Sequence, residues 1–391
     1  MSSSSTFRTV PQAADAVIIG GGVMGTSIAF HLAEAGVNDI VVVERGELGC
    51  GSSGKPIGGV RAQFSDPLNI ELGSRSLRAY QDFPYRPGAD IRLDSVGYLF
   101  LLTSDRQAAA FGNSVRIQNS LDVPSRVITP DEARRLCPYI STEGLVAAVY
   151  SPTDGHARPA LVVHGYATAA ARAGVRFATH TGVTGIDTLG DRVATVHTDH
   201  GPISCSTVIC AAGAWSGQIG AMAGIELPVR PVRRQLAFTE PLAPPVPRIP
   251  FTIDFSSSAY FHNSDDGLLF GLADPDQPDG FDTTWTSEWL ELFRNVVRHR
   301  APALADMETA DGWAGLYEVT PDHNALIGRS AELPGFLYAT GFSGHGFLQA
   351  PAVGEIVRDL YRGREPFIDI SPLSADRFRT GADSRPEAHV V

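Results

Sequence analysis

Residues 14–20 form a short apolar run, Ala-Asp-Ala-Val-Ile-Ile-Gly, with the pattern of a strand buried on both faces. A helix-like stretch over 26–35 follows, and Gly36 can close it from just past its end. Residues 39–43 give a second apolar strand that stops at Glu44. Beyond Arg61 the spacing predicts an amphipathic helix over 67–83, with Ser65 or Asp66 as its cap. Residues 96–103 read as a strand, and Thr-Pro-Asp-Glu at 129–132 is a capping box with proline at the first helical position. A helix rich in small residues is expected over 159–173, and strand-like pieces at 175–179, 182–186 and 193–198. Residues 207–216 repeat the order of strand, glycine and helix. From 228 to about 310 the pattern changes. There 241–250 is proline-rich, 251–272 alternates apolar and polar, and a helix over 287–299 gathers Trp289, Leu290, Leu292, Phe293 and Val296 on one side. This portion reads as an antiparallel sheet with a flanking helix on the substrate side. A last helix, 350–361, follows the glycine-rich loop 341–347.

The first strand enters Gly20, Gly22 and Gly25, a G-x-G-x-x-G that encloses Val23 and Met24. Gly20 permits the tight turn, Gly22 lets a pyrophosphate approach the backbone, and Gly25 lets helix and strand pack closely. The helix N-terminus offers N–H groups and positive dipole to phosphates. Glu44, at the end of the second strand, can accept hydrogen bonds from an adenosine ribose. The alternative is a glycine turn that only packs a strand on a helix. A nicotinamide-binding domain would continue in alternating strands and helices, but here Arg45 leads into a glycine- and serine-rich loop through Ser52, Ser53, Lys55, Pro56, Gly58 and Gly59 to Arg61. That loop is too glycine-rich for a helix and too long for an ordinary turn. It suits a ligand that runs onward past its pyrophosphate, as a flavin does; a mobile surface loop is the other reading.

Composition narrows the function classes. At 391 residues the chain suits one large or two closely associated domains. A formal charge of -12 argues against a nucleic-acid partner. No run approaches the ~20 apolar residues of a membrane span. Residues 1–13 lack both a basic and an apolar segment and read as a disordered leader rather than a signal peptide. Cys50, Cys137, Cys205 and Cys210 show no zinc spacing and read as reduced thiols of a cytoplasmic protein. No metal site is expected.

Taken together these pieces resemble the D-amino-acid-oxidase-like FAD oxidoreductases, nearest the branch of sarcosine oxidase, glycine oxidase and the dye-linked proline dehydrogenase β-subunit. The resemblance is carried by VIIGGGVMG at 17–25, GCGSSGKPIGGVR at 49–61, DGHARP at 154–159, VICAAGAWS at 208–216, GLYEVTPDH at 315–323 and GFSGHGF at 341–347. It implies an α/β fold with α+β elements. A glutathione-reductase-like Rossmann FAD-binding domain would be discontinuous over 14–90, 151–227 and 311–380. A mixed or antiparallel-sheet substrate domain would be inserted over 91–150 and 228–310, with 381–391 as a flexible tail. Further cofactor contacts are implied at Val183, Ala211, Gly213, Trp215, Gly315 and Tyr317, and along Gly344, His345, Gly346, Phe347 and Leu348.

Family members remove a hydride from the carbon beside an amine nitrogen, and the imine formed then hydrolyses. Three departures are visible. The cysteine and histidine positions that tether flavin in relatives are replaced, Gly315 and Lys55 among them, so FAD is expected to be non-covalent. The lysine that clamps a substrate carboxylate is Leu348 here, and the lysine credited with helping oxygen react aligns with Leu269. Arg61 stays at a substrate-facing position and either binds a carboxylate or pairs structurally. His345 either orients substrate, raises the flavin's potential as a cation, or packs behind the ring. Tyr260 and His262 are candidates for the substrate wall. The expected partners are a small amine of N-methyl or cyclic amino acid type and oxygen or another electron acceptor, with a homo-oligomer or heteromeric partner left open. Two other functions remain: an FAD-bearing electron-transfer or assembly subunit, and a specialised-pathway oxidase of a larger amine.

Overall fold

A computed structural model of the chain describes residues 10–55, 57–380 and 386–389. Strand Ala16–Ile19 is apolar at every position because both of its faces are covered. It pairs in parallel with Ile40–Val43 on one side and Thr207–Cys210 on the other. The full six-stranded sheet runs Leu326–Arg329, Phe336–Thr340, Thr207–Cys210, Ala16–Ile19, Ile40–Val43, Arg176–Ala178, and only its first pair is antiparallel. Helices Val23–Glu34, Pro159–Arg172 and Gly346–Tyr361 cover one face with Ile28, Leu32, Val162 and Val353. The antiparallel strands Val183–Leu189, Arg192–Thr198 and Gly201–Ser204 cover the other with Ile186, Val196 and Ile203. Each aliphatic side chain fully buried in these layers contributes about 1.5–3 kcal/mol.

The second layer is an eight-stranded sheet in the order Thr309–Val319, Arg230–Thr239, Gly267–Leu272, Ala259–Ser264, Phe251–Asp254, Tyr98–Leu102, Ala147–Ser151, Arg126–Ile128. Its pairings are antiparallel except for Phe251–Asp254 against Tyr98–Leu102. One face packs on helix Ser287–Arg300 through Trp289, Phe293 and Val297. The other face presents Tyr98, Leu236, Phe251, Tyr260 and Leu269. The outermost strand carries this sheet on to Val319, past the boundary near 310 that the change of pattern suggests.

Local signals set several boundaries. Helix Pro67–Gln81 starts at Asp66, whose side chain accepts from Asn69 N–H, so Asp66 and not Ser65 is the cap. Thr129 caps Pro130–Leu136 through Glu132 N–H. Helix Gly346–Tyr361 begins earlier than the pattern predicts, at the glycine loop itself. Helix Asp105–Ser120 was not anticipated; it buries only Phe111, Ser114, Val115 and Gln118, too narrow a stripe to stand out by periodicity.

The tail expected to be flexible is packed over 386–389, while 381–385 and 390–391 lie outside the described residues. Buried Glu387 accepts from Ser65 N–H at 2.9 Å, Ser65 Oγ at 2.8 Å and Asn69 Nδ2 at 3.2 Å. The His389 ring stacks on Phe111 with centroids 3.9 Å apart.

Candidate active site

A cavity of about 490 Å³ runs from the C-terminal ends of the parallel strands, at Ile19, Val43 and Ala211, to Tyr260 on the eight-stranded sheet. In open α/β sheets this end of the strands is where ligands bind. Gly20 has φ 112°, and a Cβ there would lie 2.3 Å from Ala211 O. A Cβ at Gly25 would lie 1.9 Å from Gly20 O, so Gly25 packs helix on strand and does not itself line the space. Gly22 begins helix Val23–Glu34 with no side-chain cap, and Gly22, Val23 and Met24 line the cavity. Val23 N–H donates to Ser53 Oγ at 2.9 Å, which marks the anion-seeking end of that helix. Glu44 lines the same end, its carboxylate oriented by Gly21 N–H at 2.8 Å and Gly46 N–H at 2.9 Å.

Along the cavity's side, Arg45 lies over the Trp215 ring at 3.7 Å, and Trp215 stacks on Phe281 with centroids 5.5 Å apart. Val183 and Gly213 complete this stretch of wall. The serine-rich loop is tied to strand Thr309–Val319 by Ser52 Oγ donating to Leu316 O at 2.6 Å and Lys55 Nζ to Ala314 O at 2.8 Å. Gly315 faces Lys55, whose Cβ would be 3.2 Å from a Cβ at 315. Pro56 lies outside the described residues. Gly58 and Gly59 are not lining residues: Gly59 pairs with His156, and Gly58 O accepts from Ala157 N–H.

At the far end, Gly344 has φ 96° and a Cβ there would strike the Tyr317 ring at 2.4 Å, so only glycine lets the loop close on that ring. Gly344, Gly346 and Phe347 line the cavity, and helix Gly346–Tyr361 starts there without a side-chain cap. Tyr80 Oη donates to Phe347 O at 2.6 Å and fixes that start. One cavity therefore receives two uncapped helix N-termini, one at each end, the distribution of positive dipole that a pyrophosphate and an electron-accepting ring both require. Glu318, also a lining residue, accepts from Thr340 Oγ1 at 2.8 Å and Gly341 N–H at 3.0 Å, and burial raises its carboxyl pKa.

The four side chains singled out for substrate contact do not come together. Tyr260 lines the cavity, its ring leaning over Gly271 where a Cβ would be 2.5 Å away or less. His262 lies behind the wall, stacked between Phe251 at 4.7 Å and His156 at 4.4 Å, and burial lowers its pKa to about 3. Arg61 and His345 are buried together outside the lining set, with Arg61 Nη2 3.1 Å from His345 Nε2. A guanidinium only donates, so His345 Nε2 is an acceptor and the ring is neutral. Burial first, and Arg61 next, hold its pKa far below 6.5. The structure thus corrects the idea of a cationic His345. Leu348 points away into an apolar cluster with Ala62, Phe64, Ile70 and Val123. Below the Arg61 segment, fully buried Asp154 accepts weakly from Ala62 N–H at 3.3 Å through Oδ1, and its Oδ2 has no partner among the described residues.

Sequence reasoning missed Tyr98, stacked on Phe251 at 4.3 Å, and Arg234, which lines the cavity beside Tyr317. Arg234 lines the cavity while Tyr98 packs behind it in the sheet's apolar face, and the facing of each depends on strand pairing across distant segments.

Comparison with known proteins agrees with this geometry. The DAO family model, FAD dependent oxidoreductase, matches residues 15–360. The chain is 30% identical to FAD-dependent oxidoreductase domain-containing protein 1 of Bos taurus, over 96% of this chain and 87% of that protein. It is 29% identical to glycine oxidase of Geobacillus kaustophilus (strain HTA426), over 93% and 97% of the two chains. The crystal structure of L-proline dehydrogenase from P.horikoshii superposes with a TM-score of 0.89 at 33% identity, covering 95% of this chain and 99% of that one. By the family match the chain is an FAD-dependent oxidoreductase belonging to the DAO family.

Proposed function

We propose that the enzyme removes a hydride from the carbon next to the nitrogen of a secondary or tertiary amine, of N-methyl or cyclic amino acid type. The observation that carries this reading is the pair Tyr260 and Tyr317 facing the uncapped start of helix Gly346–Tyr361 across one cavity. When bound, FAD supplies a two-electron acceptor at that end. The residues supply position and polarity. Tyr260 is buried and Tyr317 half-buried, and desolvation raises both phenol pKa values, so they stay neutral and act as apolar walls with one polar tip. Oxidation needs the amine unprotonated, with its lone pair available. As the C–H pair departs, that lone pair forms the C=N bond, and water hydrolyses the imine outside the protein's chemistry. The names of two similar proteins, L-proline dehydrogenase and glycine oxidase, support an amino acid as substrate.

Anaerobic mixing of the holoenzyme with sarcosine, N,N-dimethylglycine and L-proline is expected to bleach the flavin band with at least one of them. A flavin left oxidised by the whole panel would point instead to a carrier or assembly role. Peroxide release against dye reduction in the steady state then separates oxygen from another acceptor. Non-covalent attachment is supported by Gly315 and Lys55 at the positions where relatives carry tethering groups. Acid precipitation is accordingly expected to leave all flavin in the supernatant; colour in the washed pellet would contradict it. The four cysteines are free, which supports residence in a reducing compartment such as the cytoplasm.

A further inference from the structure

We propose that Arg234, not Arg61, receives the substrate's carboxylate, which makes the substrate an amino acid held by a guanidinium on the strand Arg230–Thr239. The proposal deepens the amine-oxidation reading and rests on it for the identity of the ligand as substrate. Arg61 is engaged elsewhere. Its terminal nitrogens donate to Gln63 O, to His345 Nε2 and, at 2.7 Å, to His389 O, and its side chain does not line the cavity. The packed segment 386–389 thus takes a donor that a carboxylate would need.

Arg234 is placed differently. Three arginines lie on its strand. Arg230 pairs with Asp279 at 2.8 Å and Arg233 with Asp282 at 2.7 Å, and neither arginine lines the cavity. Arg234 has no carboxylate within ion-pair distance among the described residues, and it alone of the three lines the cavity. Among the described residues its one hydrogen bond is from Nη1 to Arg233 O at 3.1 Å, and its buried Nε has no partner. Across the sheet it stands opposite Gly315, so the neighbouring strand sets no side chain over it. Its guanidinium lies 5.2 Å from the Tyr317 ring centroid, which orients the fork.

A buried N–H left open is costly unless a ligand completes it. A carboxylate is the complement that uses the planar fork fully. Leu236, two residues on, and Tyr260 supply apolar wall beside it. A carboxylate on Arg234 therefore leaves the attached amine within the aromatic end of the cavity.

The test is a titration of oxidised holoenzyme with acetate and pyrrole-2-carboxylate, each against its carboxamide, read as perturbation of the flavin absorbance. Saturable perturbation by the carboxylates alone is expected. Arg234→Met should weaken it roughly 10- to 150-fold, and Arg234→Lys should keep part, because the charge remains and the fork is lost. Flavin content should stay at wild-type level in both variants. An unchanged titration in Arg234→Met, no carboxylate response in wild type, or purification of both variants without flavin would each overturn the assignment, the last by giving Arg234 to the cofactor. If carboxylates titrate through Arg234 while no amine bleaches the flavin, the carboxylate site stands and amine oxidation falls. If amines bleach it and Arg234→Met titrates as wild type, the reverse holds.

Discussion

Gly20→Ala is expected to lower stability by about 3–5 kcal/mol and to yield protein largely without FAD. Two independent costs act at that position. The backbone sits at φ 112°, which L side chains rarely adopt, and the new methyl would meet Ala211 O at 2.3 Å. Both obstacles are backbone, so no rotamer change relieves them, and Ala211 belongs to the end of a central strand pairing. Gly22→Ala serves as the contrast. Its Cβ would meet only Ser53 Oγ at 2.8 Å, a side chain able to swing aside. The second substitution should therefore leave the fold near wild-type stability and weaken FAD binding, because the methyl projects where a phosphate approaches. Thermal melts of both proteins with and without added FAD check this. Equal midpoints for Gly20→Ala and wild type without FAD would sink the argument.

Asp154→Asn is expected to stabilise the protein at pH 8 by about 4 kcal/mol, with the gain shrinking as pH falls toward 4. Burial raises the Asp154 pKa from 3.8 to about 7, against smaller opposing effects from Ala62 N–H, Arg61, Ser151 and Gln63. The folded state thus holds this proton more tightly than the unfolded chain. The associated stability is complete below about pH 4, declines as pH rises toward 7, and is gone above it. Asparagine keeps the acceptor used by Ala62 N–H and carries no charge to desolvate. Chemical denaturation of both proteins at pH 5, 6.5 and 8 measures the difference. An asparagine variant less stable than wild type at pH 8 would mean that the carboxylate is needed to neutralise buried Arg61.

The cofactor half was legible because its determinants are local. Gly20, Gly22, Gly25 and Glu44 fall within one strand–helix–strand unit; Gly25 answers to Gly20 and Gly20 to the neighbouring strand end at Ala211, while Gly22 faces Ser53 in the loop that follows the unit. The glycine- and serine-rich loop stood out by composition, and Ser52, Ser53 and Lys55 line the cavity, although Ser52–Gly54 forms a short 3-10 turn that the composition did not suggest. The substrate half was less legible. Arg234 is one of two consecutive arginines, and which of them faces the cavity is set by register with Gly315, a pairing across some 80 residues. His345 illustrates a different limit: its loop was identifiable, but its charge depends on Arg61 and on burial, neither of which is local. Segment 386–389 gave no periodic signal, since it is held by Ser65, Asn69 and Phe111 through individual polar and ring contacts.

Strand Thr309–Val319 belongs to the substrate sheet, yet its Glu318 holds Gly341 and its Ser343 contact anchors the loop at the redox end. The same strand sets Gly315 opposite Arg234. Any energy that an occupant of the aromatic end stores in this strand is also felt by the glycine loop that lines the same cavity. Thermodynamic reciprocity then makes the two sites mutual reporters. A redox-inert carboxylate that shifts the midpoint potential of the bound flavin must bind the two oxidation states with affinities that differ by the corresponding factor, so a potentiometric titration can read substrate-site affinity without a single turnover.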